Sequence, residues 1–177
     1  EIKLEKPPFS FLECYVASMK DRQGHDVGEL VLWRDISALK QTEERFRVFF
    51  HTVEQNPVAI VITNPAGLIE YINPQFMRQS GYALNEVKGK NPRILQSGET
   101  SVGVYEDLWA TITSGRAWEG ELLNRKKNGE LYWVLELIAP VLDDRGNVTN
   151  YVAMQQDITE SKHTEVELRK VNTRLQA

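Results

Sequence analysis

Few residues in this sequence are of the types that make and break bonds, and their spacing gives none of them a working partner. Cys14 is the single cysteine, so no internal disulfide can form and a reducing, cytoplasmic setting is expected. The three histidines, His25, His51 and His163, fall in a turn and in linker helices, where a solvated imidazole is the ordinary state. Asp143 and Asp144 are adjacent in a turn, which makes a solvated acidic corner and not an acid–base pair. There is no zinc-ligand spacing, no Ser/His/Asp arrangement and no phosphate-cradling glycine loop. The chain therefore reads as non-enzymatic. Any chemistry it performs must come from polar side chains that a fold gathers around a ligand.

An internal repeat sets the organisation. Slid against itself by 122 residues, the sequence aligns 17–46 with 139–168 without a gap. The identities are Ala17/Ala139, Asp21/Asp143, Gly24/Gly146, Asp35/Asp157, Ile36/Ile158, Lys40/Lys162, Thr42/Thr164 and Glu43/Glu165. Each copy reads strand, polar glycine-containing turn, apolar strand, Asp-Ile-Ser/Thr, then charged helix. Residues 1–38 are thus expected to be the closing strands of one domain and 39–55 a linker helix. Residues 56–159 would form a complete second copy, and 160–177 an outgoing helix of coiled-coil type. The chain starts with Glu1 and stops mid-pattern at Ala177, so it reads as a piece excised from a longer parent.

Bulk properties agree with one domain and a fraction. Of 177 residues, 41% are hydrophobic and 26% charged, and the net charge of −4 gives no reason to expect nucleic-acid binding. The apolar run Val58–Ile62 falls far short of the ~20 residues that span a bilayer. No direct membrane contact is expected in this piece, whatever anchors the parent.

The elements follow from pattern. Leu39, Phe46 and Val53 recur every seven residues, with Phe49 and Phe50 alongside, on a helix over 37–55. That stripe suits a dimer seam or packing on the next domain. Strands over 58–63 and 68–72 flank an Asn64-Pro65-Ala66-Gly67 turn. Asn73 and Pro74 start a short helix that Gly81 stops. Short irregular helices are expected over 84–98. Thr100 or Ser101 would cap a longer helix to Ser114 bearing Val104, Leu108, Trp109 and Ile112 on one side. Strands follow at 118–126, 131–141 and 150–158, the first two joined through Asn128-Gly129. The last helix places Leu168, Val171 and Leu175 at coiled-coil spacing.

This order, with the residues inside it, resembles the PAS family. The resemblance rests on Tyr71-Ile72-Asn73-Pro74-Gln75-Phe76, Ser80-Gly81-Tyr82, Glu86-Val87-Lys88-Gly89-Lys90-Asn91-Pro92, Trp118-Glu119-Gly120-Glu121, Asn124-Arg125-Lys126-Lys127-Asn128-Gly129, Ala139-Pro140-Val141 and Asp157-Ile158-Thr159. It implies an α+β fold: a five-stranded antiparallel sheet with helices on one side, flanked by N- and C-terminal signalling helices. It implies a sensory module of a bacterial signalling protein, whose output would be a histidine kinase, a diguanylate cyclase or phosphodiesterase, or a transcription regulator.

Within that family, residues 89–96 are similar to the flavin-contacting helix of LOV photosensors. Asn91, Arg93 and Gln96 match, and Pro92 stands where the photoreactive cysteine would be. The light-driven adduct needs a thiol, so the resemblance argues against a LOV photocycle. Asn124 corresponds to an asparagine on the pyrimidine edge of the flavin and Gln155 to the glutamine near its reactive nitrogen. The second LOV asparagine falls at Val134. The run from Trp118 to Lys127 is similar to FAD-containing redox sensors, with Trp118 and Asn124 at cofactor-side positions and Pro92 in place of a glutamate. Asparagine and glutamine suit such a site because each both donates and accepts, and Arg93 could grip a phosphate.

Three occupancies follow: FAD or FMN, another small molecule, or no ligand in a pure relay domain. Haem is disfavoured, since residues 90–116 contain no histidine. Asp157, Ile158 and Thr159 are the expected relay into the outgoing helix, with Asp35 as the counterpart in the first copy. A homodimer through the flanking helices is the expected assembly.

Overall fold

The computed structural model describes residues 11–175. Residues 1–10 and 176–177 lie outside the described residues, and with them the start of the expected N-terminal fragment and the end of the outgoing helix. The chain divides into two compact units after Thr52.

The first unit holds an antiparallel hairpin, β1 (Leu12–Lys20) and β2 (Asp26–Asp35), and most of helix α1 (Ser37–Glu54). Both faces of the hairpin carry exposed apolar side chains, among them Val16, Leu30, Leu32 and Trp33. On α1, Leu39, Phe46, Phe49 and Phe50 are exposed, and the Phe46 and Phe50 rings stack with centroids 6.3 Å apart.

The second unit contains β3 (Ala59–Thr63), β4 (Ile69–Ile72), α2 (Pro74–Ser80), α3 (Leu84–Val87), α4 (Val102–Thr113), β5 (Trp118–Arg125), β6 (Leu131–Leu142), β7 (Val148–Asp157) and α5 (Thr159–Leu175). The five strands pair antiparallel in the order β4-β3-β7-β6-β5. This is the α+β fold expected, with a five-stranded sheet. The pairing of β3 with β7 brings residues about ninety apart in sequence together: Thr63 faces Tyr151 and Ala59 faces Gln155. Strand side chains alternate between faces, so one residue in two faces the helices. Two apolar clusters fill that side. One gathers Leu108 and Ile112 of α4 with Trp118, Leu122, Tyr132, Val134, Ile138 and Tyr151. The other joins Ala59, Val61, Ile69 and Ile72 to Phe76, Val87 and Leu95.

The sequence repeat is also a repeat of geometry. Leu12 pairs with Asp35 as Val134 pairs with Asp157, and each register slips at the equivalent place, Met19/Lys20 and Val141/Leu142. In each turn an aspartate, Asp21 or Asp143, accepts backbone N–H groups two and four residues on. Gly24 and Gly146 both take positive φ there, at 87° and 81°.

Local chemistry explains most boundaries and two departures. Asn73 caps α2 by accepting from the Phe76 N–H, and Gly81 ends it at φ 78°. Ser101 occupies the N-cap position of α4 but makes no side-chain cap bond. The Thr100 hydroxyl instead accepts from the Leu123 N–H at 3.2 Å, tying the helix start to β5. Asn128-Gly129 does turn β5 into β6, with Gly129 at φ 92°. The connection nevertheless spans 126–130, because the Lys127 N–H is drawn onto the Ser80 carbonyl.

Candidate ligand-binding site

A cavity opens between the helix-side face of the sheet and the segment from Asn91 to Ile112. The atom-free space in it and before its mouth is about 700 Å³, open solvent included. Its walls are mainly apolar: Val61, Leu95, Leu108, Ile112, Leu122 and Ala153.

Backbone pairing holds this wall in place. Ile69 exchanges hydrogen bonds with Gly89 and Lys90, and Gln96 bridges to Asn124. Between them a 3-10 turn, Pro92–Leu95, starts at Asn91, whose side chain accepts from the Arg93 N–H at 3.0 Å. Gly67 completes this rim. It sits at φ +75°, and a Cβ there would lie 2.9 Å from the Trp109 ring. Trp109 in turn meets Tyr151 edge-on, centroids 6.2 Å apart.

Five of the six residues singled out as ligand contacts line this cavity: Asn91, Arg93, Gln96, Asn124 and Gln155. Asn124 and Gln155 are buried, while Arg93 and Gln96 are exposed at the mouth. No ion pair holds the Arg93 guanidinium among the described residues; its Nε lies 3.4 Å from Asn91 Oδ1.

Trp118, expected on the ligand side, is the exception: it does not line the cavity. Its indole is buried in the core and donates to Asp107 at 2.8 Å. Gly120, two residues on and on the same strand face, leaves room for it: a Cβ there would meet the indole at 2.5 Å. The Trp-X-Gly spacing is thus a packing device. Trp109, read from sequence as one of several apolar helix residues, is the tryptophan on the cavity wall.

Sequence reasoning also missed Glu136. It pairs across β6 and β7 with Gln155, and the Gln155 amide nitrogen donates to its carboxylate at 2.9 Å. Glu136 is 5% exposed and lines the cavity. Burial pushes its pKa up to about 7, and the Gln155 hydrogen bond opposes this only in part. The signal was available. Tyr132, Val134, Glu136 and Ile138 form the inward set of β6, and an acid in that set must serve something. Gln155 Oε1 is buried with no hydrogen-bond partner, and Gln155 lines the same cavity.

Two residues beyond Gln155, β7 gives way to α5. Asp157 Oδ1 accepts from the Thr159 N–H at 2.9 Å, and Thr159 Oγ1 accepts from the Trp133 N–H at 2.9 Å. Ile158 N–H donates to the Trp133 carbonyl. Lys162 makes an ion pair with Glu121 and lies 5.6 Å from the Trp133 ring centroid. Asp157 therefore organises backbone, and the basic group at this junction pairs with Glu121. Asp35 repeats the arrangement in the first unit, where Ser37 N–H donates to its carboxylate and Phe11 N–H to the Ser37 hydroxyl.

A family model described as "PAS domain" matches residues 57–160. The chain belongs to the PAS domain family. PAS domains are sensory modules of signal transduction, and this one has that role. The nitrogen fixation regulatory protein of Klebsiella oxytoca is 40% identical over 136 residues, 77% of this chain and 28% of that protein. A blue-light-activated histidine kinase of Brucella canis is 32% identical over 136 residues, 75% of this chain and 27% of that protein. The chain thus spans little more than a quarter of these relatives. A light-oxygen-voltage domain studied with a flavin analogue superposes with a TM-score of 0.60 at 29% identity, covering 71% of this chain and 96% of that domain.

The residues present fit a flavin. The cavity joins apolar walls to amides at its base, and the unpartnered Gln155 oxygen awaits a donor. Pro92 lies on the wall, and no cysteine lines the cavity among the described residues, so no thiol is at hand for an adduct. Among the described residues no helix is long and apolar enough to cross a membrane.

Proposed function

We propose that this PAS module senses redox state or light through a flavin, FAD or FMN, held in the cavity, and passes the change through β7 into α5. The observation that carries the reading is the convergence of Asn91, Arg93, Gln96, Asn124 and Gln155 on one apolar cavity. A bound flavin supplies reversible electron uptake and a blue-absorbing ring. Asn124 and Gln155 orient its polar edge from the sheet, and Arg93 at the mouth takes its phosphate. The regulator, kinase and light-sensing relatives support the same reading. Purified protein should show the flavin absorbance bands, and mass spectrometry of the released small molecules should identify FAD or FMN. A colourless protein that takes up neither on incubation would leave the ligand-free relay as the reading.

The relay runs through Asp157, Ile158 and Thr159. Gln155 is part of the cavity and lies two residues from Asp157, so a shift of its amide is felt where α5 begins. Replacing Thr159 by alanine removes the acceptor of the Trp133 N–H and should cost about 1 kcal/mol. Hydrogen exchange should show faster exchange at Trp133 and along the first turn of α5. Ligand-dependent protection of α5 should disappear; its persistence would remove Thr159 from the path.

The same reading makes residues 1–38 the closing strands of a preceding PAS copy, supported by the matching registers and turns. It makes the exposed Phe46, Phe49 and Phe50 of α1, and Leu168 and Val171 of α5, contacts of a homodimer through the flanking helices. The expected Leu175 contact falls on a side chain outside the description. The catalytic or regulatory output lies in a longer, cytoplasmic parent.

A further inference from the structure

We propose that Glu136 is a positioning residue that holds the Gln155 amide with its oxygen toward the ligand, so that the module prefers the N–H-bearing, reduced form of a flavin. The inference rests on the flavin reading above. An ionised carboxylate can only accept hydrogen bonds, so beside it the Gln155 amide must turn its nitrogen to Glu136. The oxygen is then left over, buried, without a protein partner, on the cavity side. The two residues are cross-strand neighbours on β6 and β7, so their side chains lie side by side on the cavity face. The groups facing Glu136 do not reverse this. Tyr105 of α4 and Tyr132 of β6 both feel its charge, and their hydroxyls are neutral at ordinary pH because burial raises them. Arg93 lines the same cavity but is exposed at its mouth.

An acceptor so fixed distinguishes the two states of the ring. The central ring nitrogen of an oxidised flavin is itself an acceptor and gains no bond from Gln155 Oε1. Reduction adds two electrons and a proton and turns that nitrogen into a donor. With an apolar or amide side chain at position 136, the Gln155 amide is free to present either end, and the preference is lost.

The test is anaerobic calorimetric titration of ligand-free protein with FMN and with FAD, each oxidised and then reduced with excess dithionite, which supplies the electrons while solvent supplies the proton. At about pH 8.5 the Glu136 carboxylate is ionised. The native chain should bind the reduced form more tightly than the oxidised one. In Glu136→Gln and in Glu136→Leu that ratio should fall about tenfold, the size of one ordinary hydrogen bond. A merely structural role for Glu136 would move both affinities together and leave the ratio unchanged, which overturns the proposal. Should no flavin in either state bind any of the three proteins, the flavin reading and this proposal fall together. The two variants guard against one that does not fold.

Discussion

Replacing Glu136 by glutamine is expected to stabilise the ligand-free domain by about 3 kcal/mol more at about pH 8 than at about pH 4.5. Glutamine keeps the shape and still accepts from the Gln155 amide, so packing is unchanged and only the titration is removed. The carboxyl titrates near 4.5 in the unfolded chain and near 7 when buried. The folded state therefore holds this proton more firmly. Its contribution is fully present below about pH 4.5, fades as pH rises, and is gone above about pH 7. A gap of that size between the two pKa values sets the expected figure at about 3 kcal/mol. Carboxylates held low by partners, such as Asp21, Glu86, Glu130 and Asp143, act in the opposite direction and below this window. They are common to both proteins and cancel in the difference. Urea unfolding of native and variant chains at the two pH values reads it directly. Equal effects at both would mean that the Glu136 carboxyl is hydrated in the cavity and not buried against it.

That prediction bears on why the acid is there. A buried carboxylate with a single amide partner burdens the fold at neutral pH, and an apolar side chain would pack the same place at less cost. Groups that weaken a fold and line its cavity are the ones a ligand is expected to use.

How much of this was legible beforehand differs between local and long-range features. The strands, the Gly81 stop and the two Asp-turn hairpins are written in short windows of residues, and they occur where pattern placed them. Asn91, Arg93, Gln96, Asn124 and Gln155 are singled out by resemblance to flavin-binding members of the family, and they line one cavity in a sheet where β7 runs between β3 and β6. Trp118 and Glu136 mark a limit of sequence reading for a shared reason. Which face of a strand a residue occupies is clear from alternation, but what lies opposite is not. Trp118 alternates onto the helix side, where Asp107 and Gly120 receive it into the core. Glu136 alternates onto the same side, and only the cross-strand pairing with Gln155 reveals a partner nineteen residues away. Thr100 shows the same limit on a small scale, since its hydroxyl serves β5 and not the helix it precedes.

Asn73 is the clearest case of a residue whose sequence role understates its structural one, and Asn73→Ala should be the most destabilising single change outside the apolar core. Sequence predicts a helix cap, worth about 1 kcal/mol. The structure adds three further bonds. Asn73 Oδ1 accepts from the Ile60 N–H at 2.9 Å as well as from the Phe76 N–H at 3.0 Å. Its amide nitrogen donates to the Val58 carbonyl at 2.9 Å and to the Val53 carbonyl at 3.2 Å. With no exposed surface, no water can replace them. Alanine leaves the Ile60 and Phe76 N–H groups and the Val58 carbonyl short of that partner, while the Val53 carbonyl keeps the Asn56 N–H, at the point where the last turn of α1, the start of β3 and the start of α2 converge. The expected loss is about 3–5 kcal/mol. Asn73→Ser separates the contributions, because a hydroxyl can cap α2 but cannot reach both carbonyls, and it should recover only about 1 kcal/mol. Tyr71, bonded to Glu54 beside it, cannot compensate, since it touches the same turn of α1 from a side chain and not through the backbone of β3. A urea midpoint for Asn73→Ala that corresponds to a loss below about 1 kcal/mol would mean that Asn73 is only a cap, and that the incoming helix reaches the sheet by some other route.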